Sequence, residues 1–271
     1  MQEIQNCLNG QDLAQKCIEN EDQGTKFDIK TIIETESITS FFQQIFSIKS
    51  SAVVGVEALA RAIDPVTWQY IPPSGIFEEA AKEGLTVDLD RLCRKTAIRE
   101  FAPVASQNPN LLLFINLDTS ILNDSTVGSN NILNTVKQYG IDPGRVVIEF
   151  IESKTNDPDA LLRFIDTYRK YGFLFALDDM GTGHSNLERI PSIKPDFVKL
   201  DRSLIKGIDR EYYKQELFDF FIKLAHKIGC LVIAEGIETK EEGLACLERG
   251  ADLVQGFYFA LPNLDKPEPK R

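Results

Sequence analysis

Several residue types and sequence features are scarce in this chain of 271 residues, and each scarcity excludes a class of protein. There are only two histidines, and the five cysteines are widely spaced without a C-x-x-C pair, so a zinc site built from these residues has too few ligands. No run of about 18 apolar residues occurs, and residues 1–16 contain neither a basic nor an apolar segment. We therefore expect no membrane span, no secretory signal, and reduced cysteines in a cytoplasmic protein.

The charge balance is acidic, with 41 Asp and Glu residues against 30 Lys and Arg and a formal net charge of -11. This balance argues against a broad basic surface for long nucleic acid. It leaves room for a small phosphorylated ligand, provided that a cation meets the phosphate. Because the chain is 43% hydrophobic and 26% charged, it can bury a full core, and disorder of the whole chain is excluded.

The pattern along the chain predicts an α/β barrel between a lead-in and a tail, although the length alone would also suit two ordinary domains. Residues 1–36 are polar and are interpreted as a lead-in or linker helix, and residues 265–271 as an exposed tail. Residues 37–264 contain eight apolar runs that alternate with helical patterns, as one barrel domain requires. The runs are FFQQIFSI, AVVGVEALA, LLLFINLD, RVVIEFIE, FLFALDDM, FVKLD, LVIAEGIE and LVQGFYFA.

Two helices and one hairpin carry clear sequence signals. Asp157 and Pro158 predict the start of a helix that ends at Gly172. A second amphipathic helix, which buries its apolar stripe and ends at Gly229, is predicted by Leu217, Phe221, Leu224, Ala225 and Ile228. Only IKSS separates the first two runs, which is too short for a crossover helix, so the first strand is expected to be antiparallel to the second.

Polar side chains break almost every apolar run near its C-terminal end. A parallel strand buried on both faces should end without charge, because an unpaired buried carboxylate costs several kcal/mol to desolvate. If the runs close into a barrel, these groups meet at one mouth, where barrel enzymes carry their catalytic residues. The residues are Glu57, Asn116, Glu149, Asp178, Asp179, Lys199, Glu235 and Gln255.

Most of these residues also have an ordinary structural interpretation. The Asp and Asn side chains could cap the helices that follow them, and Glu57 could begin an ordinary helix. Lys199 could be a solvated charge at a strand end, and Gln255 could mark a bend. Independent caps would not explain polar residues on nearly all of the strands, so we favour one shared site.

The composition of this site predicts a metal of the hard type. Five carboxylates and one asparagine, with almost no histidine, suit Mg²⁺ or Mn²⁺. Two such cations about 3.5–4 Å apart would clamp a phosphodiester and lower the pKa of a bridging water. Asp178 and Asp179 are adjacent and cannot aim identically, so one could bridge two ions while the other orients a ligand or water. Lys199 would orient the water or offset charge on the phosphoryl oxygens.

Seven short motifs occur in a fixed order along the chain. They are GVEALAR with Glu57-Ala58-Leu59, INLD at Asn116, IEFIES at Glu149, DDMGTGHSNL at Asp178, FVKLD, AEGIE, and QGFYFALP at Gln255. A lone EAL tripeptide carries little information, but this ordered set is highly specific. From about Phe41 to Pro262 the chain resembles the EAL-domain family of cyclic di-GMP phosphodiesterases.

The resemblance implies a modified TIM barrel with an antiparallel first strand, a homodimer, and hydrolysis of cyclic di-GMP to linear pGpG with two Mg²⁺ or Mn²⁺ ions. By position, it implies that the core metal ligands are Glu57, Asn116, Glu149 and Asp178, with Asp179 at the second ion and Glu235 as the remaining site acid. Lys199 resembles the lysine that holds the nucleophilic water. The implied substrate contacts are Leu59, Arg61 on a phosphate, Gln43, and Gln255 through water. Glu152 and Glu238 resemble the anchors of the loop GTGHSN.

Four positions depart from the family pattern: Gln44 replaces a proline, Met180 a phenylalanine, Ala62 a tryptophan and His184 an aromatic residue. None of these departures deletes a metal ligand, so they bear on affinity, rate and regulation more than on chemistry.

The sequence favours a metal-dependent phosphodiesterase. The alternative is a catalytically weak or silent receptor module that binds cyclic di-GMP without cleaving it. A Mg²⁺-dependent barrel enzyme acting on sugar phosphates or enolates would explain the hard site. It would not explain why the motifs occur together.

Overall fold

The computed structural model of the chain describes residues 27–47, 49–65, 70–71, 73–123, 129–151, 157–181, 190–260 and 262. Most of its strands form a barrel. They are β1 (Ile38–Ser47), β2 (Ala52–Ile63), β3 (Tyr70–Ile71), β4 (Leu112–Asn116), β5 (Val146–Phe150), β6 (Leu174–Met180), β7 (Phe197–Leu200), β8 (Leu231–Ala234) and β9 (Leu253–Val254).

The barrel is closed by its first strand. Pairing follows the order β1-β9-β8-β7-β6-β5-β4-β2, and β1 pairs with β2 to complete the circle. β1 is antiparallel to both of its neighbours, whereas the strands from β2 through β4 to β9 pair in parallel. The short strand β3 adds to the end of β2 outside the circle. The predicted α/β barrel with an antiparallel first strand is therefore confirmed.

Helices pack on the outside of the barrel. They are α1 (Ile29–Glu34), α2 (Pro73–Glu83), α3 (Thr86–Gln107), α4 (Asn131–Gln138), α5 (Pro158–Arg169), α6 (Ile190–Ile193), α7 (Arg202–Ile205), α8 (Tyr212–Ile228) and α9 (Lys240–Glu248). The apolar core between helices and strands includes Phe101 of α3, Phe150 of β5 and Phe164 of α5. α5 begins as predicted, because Asp157 Oδ1 accepts a hydrogen bond of 2.9 Å from the Ala160 amide.

The stripe predicted for α8 agrees only in part with its buried face. Phe221 and Ala225 are buried as expected, whereas Leu217 and Ile228 are 42% and 46% exposed. The other buried residues of α8 are Phe218 and Ile222, so the inward face is turned by part of a turn from the predicted stripe. Because apolar residues flank the stripe on this side, periodicity alone could not place the centre of the buried face. Gly229 ends the helix as predicted, with a left-handed φ of 83°.

The described part of the predicted lead-in is a packed helix. Ile29 and Ile32 of α1 are fully buried, in one cluster with Ile76 of α2 and Leu89 of α3. The predicted boundaries at residues 36 and 264 stay predictions, and residues 1–26 and 263–271 lie outside the described residues.

Three of the five cysteines are described, and all three are free thiols. Cys230 and Cys246 are buried and Cys93 is half-buried. In the described part of the chain, no helix is both long and apolar enough to cross a membrane.

The lower interior of the barrel is filled by one layer of apolar side chains, which we call the lower layer. It comprises Ile45, Phe114, Val147, Ala176, Phe197, Ile233 and Leu253, one from each strand of the barrel except β2. β2 contributes Gly55, where an added Cβ atom would lie 2.7 Å from Cε2 of Phe114. The phenylalanine ring thus occupies the space that a side chain on β2 would need.

Candidate functional site

A second layer of side chains lies above the first and is polar throughout; we call it the upper layer. Side chains on a strand alternate between its two faces, so residues two apart point the same way. Each upper-layer residue lies two positions from the lower-layer residue of its own strand, in the direction of the mouth. The upper layer consists of Gln43, Glu57, Asn116, Glu149, Asp178, Lys199, Glu235 and Gln255. Because β1 runs in the opposite direction, Gln43 precedes Ile45 in the sequence. On the other strands the upper-layer residue comes two positions after the lower interior residue of the same strand.

Lys199 is the centre of the upper layer. Its ammonium nitrogen lies 2.6 Å from Glu235 Oε1 and 3.0 Å from Glu149 Oε1. Glu57 Oε2 and Asp178 Oδ1 are each 3.4 Å away. Lys199 is 1% exposed and Glu149 is fully buried, so water screens these charges little.

Two amides on other strands of the barrel bind Glu57. Gln255 Nε2 donates to Glu57 Oε2 over 2.7 Å and to Gln43 Oε1 over 3.1 Å. Asn116 Nδ2 donates to Glu57 Oε1 over 3.2 Å, so its side chain serves this site rather than capping a helix. The cap of the following 3-10 helix is Asp118, whose carboxylate accepts from the Ser120 amide.

The charges of the upper layer do not balance, because four carboxylates share one ammonium. Burial raises the pKa of Glu149 and of Glu235 well above the ordinary value, and attraction to Lys199 does not compensate. Burial also acts to raise the pKa of Glu57, but Lys199 and the hydrogen bond from Gln255 outweigh it and lower that pKa. Burial alone would lower the pKa of Lys199, yet the surrounding carboxylates raise it well above its usual range.

Buried acceptors without donors add to this imbalance. Glu149 Oε2 and Gln255 Oε1 are buried and accept no hydrogen bond from the described residues, which is costly unless a cation or an ordered water contacts them. Within the described ranges, no three of these carboxylates form a ready-made cage for a metal ion, since Lys199 stands between them. The donor set itself, made of carboxylate and amide oxygens, is of the kind that hard divalent cations prefer.

Asp178 and Asp179 lie at an irregularity in β6. The pairing with β7 shifts register between Leu177 and Met180, and Asp179 adopts a left-handed φ of 56°. The Asp179 amide donates to Asp178 Oδ1 over 2.9 Å. The irregularity brings Asp178 into the upper layer and leaves Asp179 beside it, at a backbone conformation that Asp tolerates better than most residues.

Leu59 and Arg61 continue the inward row of Glu57 along β2. Arg61, four residues on, stands about 13 Å further along the strand, with its guanidinium 5.3 Å from the centre of the Phe41 ring. Both residues are half-buried. They therefore rise above the upper layer on one side of the mouth.

A cavity that the sequence did not reveal opens beside Glu57. It has a volume of about 480 Å³ and lies between β2, β4 and the helices α2 and α3. Besides Glu57, Leu59 and Asn116, its lining includes Pro73, Phe77, Cys93 and the buried ion pair of Asp90 and Arg94. Asp90 and Arg94 are four residues apart on one helix, and this spacing is also common on solvated helix faces. Only the fold shows that this pair is buried and lines the cavity.

The loop anchors predicted by resemblance are only partly visible. Glu238 is exposed and pairs with Arg202, with Nη2 of the arginine 2.5 Å from Oε1 of the carboxylate. Glu152, residues 182–189 and hence His184 lie outside the described residues. Met180 is buried at the end of β6.

Comparison with known families finds one match that covers most of the chain. The family model described as "EAL domain" matches residues 28–262.

Named proteins with similar sequences are described as cyclic di-GMP phosphodiesterases. The chain is 28% identical to "Probable cyclic di-GMP phosphodiesterase PdeB" of Escherichia coli, over 88% of this chain and 45% of that protein. It is 27% identical to "Cyclic di-GMP phosphodiesterase PdeL" of the same organism, over 86% of this chain and 65% of that protein. The chain thus spans less than two thirds of the length of these curated relatives.

A solved structure with the same fold is the manganese/cy-diGMP complex of Klebsiella pneumoniae BlrP1. It superimposes with a TM-score of 0.71 at 27% identity, over 82% of this chain and 55% of that one.

Proposed function

The chain belongs to the EAL-domain family, and on this premise we propose that it is a metal-dependent phosphodiesterase that hydrolyses cyclic di-GMP to linear pGpG. The observation that carries the proposal is the closed upper layer, in which every strand of the barrel contributes one polar side chain. Relatives named as cyclic di-GMP phosphodiesterases support the substrate, and the manganese complex of BlrP1 supports a divalent cation.

We propose that the upper layer holds two Mg²⁺ or Mn²⁺ ions. Four carboxylates around one ammonium leave a buried excess of negative charge, and the acceptors on Glu149 and Gln255 lack donors. Divalent cations would neutralise the excess negative charge and would bind the unpaired acceptor oxygens. The proposed core ligands are Glu57, Asn116, Glu149 and Asp178, with Asp179 at the second ion and Glu235 as the remaining acid. When bound, the ions would supply Lewis acidity and a water of lowered pKa.

The protein's own residues would orient the water and the substrate. Without metal, the surrounding carboxylates raise the pKa of Lys199. We propose that its ammonium donates a hydrogen bond to the attacking water. Glu235 holds the ammonium in place from 2.6 Å. Arg61 would bind a phosphate and Leu59 would make an apolar contact with the substrate. Gln43 and Gln255 are 8% and 3% exposed, so we propose that these amides reach the substrate through ordered water.

The experiment that tests this function is a product assay. Purified protein is incubated with cyclic di-GMP and Mg²⁺ or Mn²⁺, and the nucleotides are separated. We expect pGpG to accumulate with metal and not in EDTA. Absence of pGpG at high protein concentration, with metal present and cyclic di-GMP bound, would reject the proposal.

A second function is favoured by one observation, the position of Lys199 at the centre of the carboxylates. In a receptor module that binds cyclic di-GMP without cleaving it, the ammonium would replace the metal permanently. Calorimetry separates the two functions. Tight binding of cyclic di-GMP in EDTA, together with no turnover in metal, would favour the receptor. For the enzyme we expect weaker binding without metal.

We also propose a homodimer, and α8 offers a surface for it. Tyr213, Leu217, Phe220 and Ile228 share one face and are 86%, 42%, 50% and 46% exposed. Glu216 lies on one flank of this face near its start, and Lys223 and Lys227 lie on the same flank near its end. Two copies of α8 packed antiparallel about a two-fold axis would place Glu216 of each copy opposite the lysines of the other.

Light scattering after size exclusion tests the dimer. Wild-type protein should be dimeric, Phe220→Glu should be monomeric, and Lys170→Glu on an unrelated surface should behave as the wild type. A monomeric wild type, or a dimer that survives Phe220→Glu, would reject this surface. The cytoplasmic location and the roles of Glu152 and Glu238 as loop anchors stay predictions.

A further inference from the structure

Two turns at the mouth follow the strands β7 and β8. Residues 201–211 follow β7, which bears Lys199, and residues 235–239, which begin with Glu235, follow β8. Since these two charged groups approach to 2.6 Å, the spacing between the two turns sets their alignment.

Glu242 of α9 joins the two turns. Its Oε1 accepts from the Gly207 amide over 3.0 Å, and its Oε2 accepts from the amides of Glu238 and Thr239 over 3.0 and 3.1 Å. The bond with Thr239 belongs to an ordinary capping box at the start of α9. The bond with Gly207 does not, because it crosses to the turn after β7. Glu242 is only 5% exposed, so its carboxylate is a buried link between the turns.

Arg202 of α7 makes a second link between the same turns. Its guanidinium pairs with Glu238 at 2.5 Å. Its stem lies against Gly236, where an added Cβ atom would approach Cβ of Arg202 to 2.5 Å. Gly236 also has a φ of 64°, which favours glycine.

The turn after β8 is held from its other side by the segment after β9. The Ile237 amide donates to the Gln255 carbonyl over 3.1 Å, and the Tyr258 amide donates to the Ile237 carbonyl over 3.0 Å. A Cβ atom at Gly256 would lie 2.2 Å from the Ile237 carbonyl oxygen. The turn is therefore fixed between two neighbouring segments and has little freedom to shift.

We propose that Glu242 and Arg202 are positioning residues that fix Lys199 relative to Glu235. Glu242 is not one of the four carboxylates around Lys199, and Arg202 pairs with Glu238. Both residues therefore act through the backbone of the two turns. The proposal rests on the proposed phosphodiesterase function. A misplacement of about 1 Å caused by a change away from the reacting atoms can cost about 100-fold in rate.

Glu242→Gln separates positioning from simple capping. Glutamine supports a capping box as glutamate does, but it has one acceptor oxygen and cannot bridge both turns. We expect Glu242→Gln to lower kcat by up to about 100-fold with KM nearly unchanged, and the lost buried hydrogen bond to lower the melting temperature by roughly 2–12 °C. With kcat measured where the variant is fully folded, Arg202→Ala should act in the same direction. Glu241→Ala, on the exposed side of the same helix, is the matched control and should match the wild type. Wild-type kcat in Glu242→Gln would overturn the proposal.

A measurement without turnover separates this proposal from the proposed function. Hydrogen exchange on the metal-free protein should show faster exchange at the amides of Gly207, Glu238 and Thr239 in Glu242→Ala, and calorimetry with Mn²⁺ alone should show weaker binding. If these amides exchange at the wild-type rate and Mn²⁺ affinity is unchanged, the positioning role is wrong, whatever the enzyme does. A wild type that makes no pGpG, with the exchange result as expected, would reject the phosphodiesterase but keep the link between the turns.

Discussion

The lower and upper layers inside the barrel come from the same strands, two residues apart, and differ in almost every physical property. The lower layer is apolar and closely packed, to the extent that Phe114 leaves room only for glycine on β2. The upper layer contains four carboxylates, one ammonium and buried acceptors without donors. Packing in the lower layer lowers the free energy of the folded state. The upper layer instead keeps buried charge that is unfavourable for folding. The difference indicates that the lower layer carries stability and the upper layer carries function.

The largest expected effect of a change in the upper layer is on turnover. Glu57→Ala removes the carboxylate that contacts Lys199, Asn116 and Gln255, and with it a proposed metal ligand. We expect a loss of activity greater than the roughly 10–100-fold cost of losing an outer-sphere group, with circular dichroism unchanged. Turnover at the wild-type rate would mean that the metal assignment is wrong.

The corresponding change in the lower layer should act on stability instead. Phe114 is fully buried, so Phe114→Ala leaves a cavity that costs about 3–5 kcal/mol. For a chain of this size we expect the melting temperature to fall by roughly 6–20 °C. At temperatures where the variant is fully folded, kcat should stay near the wild-type value. A variant that melts normally but has lost turnover would contradict the division between the layers.

A third variant tests whether the upper layer costs stability. Glu149 is fully buried with one oxygen unpartnered, so Glu149→Gln should stabilise the metal-free protein by about 1–3 kcal/mol. The pKa of Glu149 is raised in the folded state, which therefore retains a proton that the unfolded chain has released. Metal-free wild type should lose stability as pH rises above the ordinary pKa of 4.5, and the variant should lose less.

Thermal unfolding in EDTA across this pH range measures the difference. Added Mn²⁺ should stabilise the wild type more than the variant, because the variant lacks a proposed ligand. Glu149→Gln that is less stable than the wild type in EDTA at neutral pH would show that the upper layer is not under electrostatic strain.

The smallest effect is expected at Gly55, opposite Phe114. Overpacking costs about 1–3 kcal/mol, but alanine gains roughly 0.5–1 kcal/mol over glycine within a strand, so Gly55→Ala should destabilise by about 1 kcal/mol. Phe114→Leu in the same molecule should relieve the clash. A double-mutant cycle by urea unfolding would detect this coupling, and strict additivity of the two changes would contradict the proposed contact.

Much of this architecture could be predicted from the sequence, because strand alternation carries information about both layers. The apolar runs predict the barrel strands, and polar residues at their ends, such as Glu149 and Glu235, predict a shared site at the mouth. The alternation also explains why independent helix caps were the weaker interpretation for Asn116. What the pattern could not supply is the central place of Lys199, since a lone lysine at a strand end is equally typical of a solvated position.

Features that depend on contacts between distant segments were not predictable from local patterns. The inward face of α8 was predicted only in part, because Leu217 and Phe218 are both apolar. The link from Glu242 to Gly207 joins residues 35 apart, and the sequence shows only the capping box. The cavity beside Glu57 needs four elements to enclose it.

The closure of the barrel by β1 also determines when the site can exist during folding. Gln43 and Gln255 meet across the seam between β1 and β9, although 212 residues separate them. Contacts at such distances in sequence form late, because the entropy of closing a long loop must be met first. The lower layer crosses the same seam, between Ile45 and Leu253, so both layers would be completed together when β1 closes the barrel. In that closing step the packing of the lower layer would offset the mutual repulsion of the carboxylates above it.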